Sequence, residues 1–168
     1  ADCGFHSWAA WAARVDSDEV VPGSDDPASR LIAVPKTYAR PRLIAAEPSE
    51  HQWCQQNLLH YFSRRIEISP IRDFIALRDQ TWNQELCRRG SWSGHLATID
   101  LSEASDRVTC HLVGQLFRSN PKLLLALQAT RTRHVTQDLC PMLPGSIMLK
   151  KFSTMGSACT FPVESLAF

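Results

Sequence analysis

Asp100 closes the run Leu96-Ala-Thr-Ile-Asp100, and Asp106 follows it with five residues between them. A carboxylate at the tip of a strand is placed to hold a divalent cation, and two such ions can clamp an in-line phosphoryl displacement. The competing reading is structural: Asp100 merely ends a strand, and Asp106 sits near a helix start, where the dipole favours acids. A second group is Lys36, Arg40 and Arg42. In an extended chain alternate residues share a face, which puts these cations with Tyr38 on one side and Thr37, Ala39, Pro41 and Leu43 on the other. Such a stripe could grip a triphosphate and screen its leaving group, or defend an edge strand against aggregation. The third is Ser153 to Thr160, where Gly156 among small residues permits close approach to a ligand or simply makes a turn. His51, Cys54 and His60 on one helix, and the Cys110-His111 pair, match no zinc spacing and read as packing and surface residues.

The elements that must carry these groups are legible in outline. Leu31 to Ala46 reads as extended, and Pro35 and Pro41 leave it as an edge strand or an ordered loop. Ser49-Glu-His-Gln52 fits a capping box opening a helix to about Ile66 that buries Trp53, Leu58, Tyr61 and Phe62. Residues 70 to 90 form a further helical segment before a turn at Gly90 to Gly94. Leu96 to Asp100 is expected as a buried strand, and Ser102 as the cap of a helix whose stripe is Val108, Leu112, Leu116 and Phe117. Asn120-Pro121 caps a helix through about Ala129. His134 to Gln137 and Ile147 to Lys151 pair as a hairpin, and a helix with Pro162 near its start follows the Gly156 loop. Residues 1 to 13 could be helical, and Asp16 to Arg30 reads as an acidic linker.

Bulk properties exclude more than they assign. With 168 residues, 44% hydrophobic and 21% charged, the chain is a globular rather than a disordered sequence. A net charge of +1 offers no general case for nucleic-acid binding, so any such case rests on local clusters. No apolar run is long enough to span a bilayer, since Leu123 to Leu127 is broken by Gln128. The N-terminus lacks the order of a secretion signal. Six scattered cysteines without a Cys-x-x-Cys pair point to reduced thiols. The absence of an initiator Met, and a last residue inside an apolar run, read as those of a fragment.

Taken together, the segments resemble the replicases of the RNA bacteriophages (leviviruses) and their narnavirus- and ourmiavirus-like relatives. Val34-Pro-Lys-Thr-Tyr-Ala-Arg-Pro-Arg-Leu-Ile-Ala-Ala-Glu-Pro48 is similar to the basic fingers segment, motif F. Ala97-Thr-Ile-Asp-Leu-Ser-Glu-Ala-Ser-Asp106 resembles motif A, and Phe152-Ser-Thr-Met-Gly-Ser-Ala-Cys-Thr-Phe-Pro-Val-Glu-Ser-Leu-Ala-Phe168 resembles motif B. Arg78-Asp-Gln-Thr-Trp-Asn83 and Arg89-Gly-Ser91 resemble the stretch preceding motif A. The likeness covers residues 31 to 168, with the motifs in the family's order.

The resemblance implies an α+β, right-hand polymerase: residues 1 to 30 a lead-in or linker, 31 to 95 fingers, 96 to 168 palm. It implies RNA-templated RNA synthesis from ribonucleoside triphosphates. Asp100 would bind catalytic magnesium, with manganese as the alternative ion. Lys36, Arg40 and Arg42 would contact the nucleotide's phosphates and the template, Ser105 and Asp106 would lie near the ribose, and Ser153, Gly156 and Thr160 would meet the template. The implied partners are template and nascent RNA, nucleotides and host translation factors, in a bacterial host's cytoplasm. Two departures stand out: many RNA polymerases place four residues, not five, between the motif A aspartates, and Glu164 stands where an asparagine often helps read the ribose. The family's Gly-Asp-Asp turn is absent from these residues, so the fragment by itself is expected not to polymerise. The rival reading is a noncatalytic RNA-binding or assembly module; reverse transcription is disfavoured because Asp106 suits a ribose hydroxyl.

Overall fold

A computed structural model describes residues 27–38 and 41–168. The helix expected in residues 1 to 13, Arg40 and most of the acidic linker lie outside the described residues, although the end of that linker, from Ser29, already belongs to a strand. The prolines that ruled out a helix face one another across a hairpin. Strand β1 (Ser29–Pro35) pairs antiparallel with β2 (Pro41–Ala46), Leu31 opposite Ala45 and Pro35 opposite Pro41. Proline lacks the N–H a ladder needs, and here both sit at the last pair of the ladder, beside the connection between the strands. The single extended stripe expected from Leu31 to Ala46 is therefore corrected to two strands. Lys36 and Tyr38 lie in the connection, and Arg42 lies on β2.

Of the two strands, β2 is the edge strand expected, but β1 is not an edge. Its other side pairs in parallel with β3 (His134–Thr136), which pairs antiparallel with β4 (Ser146–Met148), giving the order β2-β1-β3-β4. The hairpin expected between His134 and Lys151 is thus present. Its connection is organised by Gln137, whose amide donates to the carbonyls of Cys140, Leu143 and Pro144 while its oxygen accepts from the Cys140 N–H at 2.9 Å.

Helix α1 (Ser49–Glu67) has the expected extent but not the expected cap. Pro48 is the capping residue, no side chain caps the end, and Ser49 is already helical. The first turn is closed by the Gln52 N–H, which donates to Pro48 O at 2.9 Å. The buried face runs His51, Gln55, Leu58, Phe62 and Ile66. Trp53 points away from that line and is exposed, and Tyr61 flanks it and packs edge-on to Phe62. After a 3-10 turn (Pro70–Asp73), α2 (Thr81–Ser93) continues through Gly90 and stops at Gly94, whose φ of 68° is a left-handed cap that glycine adopts without strain.

Leu96 to Asp100 forms no strand; every residue from 91 to 103 is exposed. An apolar run becomes a strand only where a neighbour supplies hydrogen bonds, and no described strand pairs with it. The single helix expected after Ser102 is likewise two: α3 (Ala104–Arg107) and α4 (Cys110–Leu116). Between them Val108 is extended and accepts from the Phe152 N–H at 2.9 Å. Thr109 then restarts the helix, its hydroxyl accepting from the Leu112 N–H. That break rotates the buried set to Val108, Val113 and Phe117, leaving Leu112 and Leu116 partly exposed. Asn120 caps α5 (Pro121–Ala129) as expected, accepting from the Leu123 N–H. The last helix is α6 (Thr160–Ala167). One apolar core gathers Leu58, Phe62, Val108, Phe117, Leu127, Phe152 and Val163 from these helices and the segments between them.

Candidate functional site

The Gly156 loop is seated on the base of the basic hairpin. The Ala45 N–H, in β2, donates to Met155 O at 2.8 Å. Gly156 itself has φ 134°, and a Cβ there would overlap the Ala45 carbonyl oxygen and lie 3.0 Å from its carbon. Only glycine meets both demands, because the backbone approach leaves no room and the dihedral is one that L side chains avoid.

Hydroxyls knit the loop to its own helix. Thr160 Oγ1 lies 2.7 Å from Thr154 O and 2.9 Å from Ser153 Oγ. A hydroxyl has one proton, so Thr160 donates to the carbonyl and accepts from Ser153. All three residues are buried. Before the loop, Arg131 donates to the carbonyls of Leu149, Lys151 and Phe152 at 2.7–2.9 Å, which fixes the chain leading into it. Burial pushes the Cys159 thiol up to about 12; a hydrogen bond with Thr130 opposes the rise and the nearby Glu47 charge adds to it. Burial also raises the carboxyl of Glu164 on α6.

Lys36 and Arg42 are exposed at the hairpin, with Tyr38 fully exposed between them; Arg40 lies outside the described residues. Asp100 is exposed in the irregular stretch after α2. Ser105 is buried in α3, and Asp106, half-exposed, forms an ion pair with Lys151 just before the Gly156 loop. The segment carrying Asp106 is thus tied to the loop's entrance, through this pair and the Val108–Phe152 hydrogen bond. Among the described residues no group of three or more His, Cys, Asp or Glu is placed to hold a metal ion.

A buried polar cluster beneath the loop was not anticipated. Glu47, just past β2, accepts from Thr154 Oγ1 at 3.3 Å, from Gln55 Nε2 at 3.2 Å and from the Thr132 hydroxyl. His51 Nδ1 lies 2.9 Å from Thr132 Oγ1; since that hydroxyl donates to Glu47, the histidine nitrogen must be the donor. Gln55 Nε2 also donates to Thr130 O at 2.8 Å, and its Oε1 accepts from the Ala158 N–H at 3.1 Å. The available signal was the helical spacing of His51 and Gln55 ahead of Leu58, Phe62 and Ile66, which puts two polar side chains on a buried stripe.

This arrangement, a mixed sheet with a basic hairpin and a glycine loop docked at its base, belongs to a chain whose residues 11–168 match the family model described as RNA replicase, beta-chain. The chain is a member of that family. It is 37% identical over 139 residues to the RNA-directed RNA polymerase beta chain of Enterobacteria phage GA, and 34% identical over 138 residues to that of Escherichia phage MS2, each match covering 82% of the chain. The RNA-directed RNA polymerase subunit beta of Qbeta virus (strain MX1) is 35% identical over 144 residues, or 84% of the chain. The chain spans 22–24% of the length of these relatives. The likeness read from the three motifs holds at the level of the family.

Proposed function

We propose that these residues form part of the active centre of an RNA-directed RNA polymerase that replicates a viral RNA genome. The observation that carries the reading is family membership across residues 11–168, which include the basic hairpin, the Asp100 segment and the Gly156 loop in one order. Residues 31 to 95 would serve as fingers and 96 to 168 as palm. Lys36, Arg40 and Arg42 would hold nucleotide phosphates, where guanidinium forks and an ammonium offset their charge. Ser153, Gly156 and Thr160 would shape the path of the template. Asp106, anchored by Lys151, would sit with Ser105 beside the ribose and select for its 2′-hydroxyl.

Asp100 is a hard oxygen donor of the kind magnesium or manganese takes. The described residues do not complete a site for either ion, so Asp100 would be one ligand among carboxylates supplied elsewhere in a replicase. Template RNA, nascent strand and ribonucleoside triphosphates are the partners this reading requires, with bacterial cytoplasm as the setting suggested by the phage relatives. Among the described residues no helix is long and apolar enough to cross a membrane.

The test is Asp100→Asn in a full-length replicase containing these residues. RNA synthesis should fall by orders of magnitude while RNA binding stays unchanged. Undiminished synthesis would sink the assignment and leave the noncatalytic RNA-binding module, whose salt-sensitive binding is indifferent to Asp100.

A further inference from the structure

Besides its backbone hydrogen bond to Ala45, the loop around Gly156 is tied on each side to one cluster. On its N-terminal side Thr154 donates to Glu47, and on its C-terminal side the Ala158 N–H donates to Gln55, which itself donates to Glu47. Between these anchors Gly156 lies against Ala45, two residues before Glu47 in the same strand exit. Thr132, held by His51, supplies the third donor to the carboxylate. Thr154, Thr132, Gln55 and His51 are all buried. A half-buried carboxylate there must be matched by donors, and each of its partners comes from a different part of the chain: loop, α1 and the approach to β3.

We propose that Glu47 is a positioning residue that fixes the Ser153–Thr160 loop against the basic hairpin, so that nucleotide-contacting and template-contacting segments move as one unit. Glu47 touches no substrate in this scheme. It acts through Thr154 and Gln55, with Gly156 seated on Ala45 between the two tied ends. The inference rests on the polymerase reading, since it assigns the loop a template-side role.

The experiment uses a full-length replicase containing these residues, with Glu47→Gln, Thr154→Val, their double variant and Thr154→Ser, and Asp100→Asn as the control. Losing one hydrogen bond to a charged group costs on the order of tenfold in an equilibrium. Glu47→Gln and Thr154→Val should each raise KM for the templated nucleotide about tenfold, on this scale, with the RNA dissociation constant unchanged. The double variant should be no worse than the worse single one, because both break one link. Thr154→Ser keeps the hydroxyl and should restore the parental KM. Multiplicative effects, an unchanged KM, or a Thr154→Ser variant as impaired as Thr154→Val would overturn the proposal. With synthesis abolished by Asp100→Asn, such a result refutes the positioning role alone; synthesis surviving Asp100→Asn overturns the polymerase reading and the inference with it.

Discussion

Replacing Gly156 by alanine adds one methyl group where two backbone segments meet. The added Cβ has nowhere to go, since it would overlap the Ala45 carbonyl oxygen, a backbone atom that cannot rotate aside. The φ of 134° adds strain of roughly 1–3 kcal/mol for a residue other than glycine. Lifting the loop to relieve the overlap breaks the Ala45–Met155 hydrogen bond, worth about 1 kcal/mol. The sum, roughly 2–4 kcal/mol, corresponds to an opening equilibrium some 30- to 1000-fold more favourable, at about 1.4 kcal/mol per tenfold. Amide hydrogen exchange followed by mass spectrometry reads this directly, because the Ala45 N–H is the protected donor. Gly114 provides the control: it sits in α4, and a Cβ there meets nothing within 4 Å. Gly114→Ala should leave Ala45 exchange unchanged and stabilise the helix by about 0.5–1 kcal/mol. Exchange at Ala45 that is the same in Gly156→Ala as in the parent would refute the account of the docked loop.

Two further outcomes can be checked independently. The Cys159 thiol is pushed up to about 12 from 9.0, so between those values the unfolded chain releases a proton that the fold retains. Stability should therefore be intact below pH 9 and decline as pH rises towards 12; Cys159→Ala should flatten that decline in a pH series of melting curves, and native alkylation at pH 8 should label exposed Cys87 and Cys110 but spare Cys159. Lys36→Ala and Arg42→Ala in a full-length replicase should weaken RNA binding and flatten its salt dependence, by roughly 0.7 in log–log slope for each single-strand phosphate no longer neutralised; an unaltered slope would remove these side chains from the RNA interface.

What could be read from the sequence divides along the range of the forces involved. Asn120-Pro121 and the His134/Ile147 hairpin were legible because a cap and a hairpin are set by neighbours in the chain. The same local logic misplaced the cap of α1: Ser49 and Gln52 have the right types, but the chain enters the helix one residue earlier, at Pro48. Val108 to Phe117 has a helical pattern, yet Val108 is held extended by Phe152, a residue from a distant part of the chain. Leu96 to Asp100 carries strand-forming residues without a described strand beside them. The site divided likewise. Gly156 and its hydroxyl neighbours stood out by composition, whereas Glu47 looks like an ordinary loop acid until Thr132 and Thr154 are brought to it by the fold.

The parallel pairing of β1 with β3 sets a schedule for synthesis. Ser29 pairs with Val135, and the Ser29 hydroxyl lies 3.3 Å from the carbonyl oxygen of His134, 105 positions further along the chain. A ribosome adding roughly 5–20 residues per second needs on the order of 5–20 s to deliver that partner. For that interval the basic hairpin exists as a two-stranded ribbon, marginal by itself in water, with one side of β1 unpaired. During that interval the exposed Lys36 and Arg42 place positive charge at the hairpin's end, and charge near an unpaired strand discourages other chains from pairing with it.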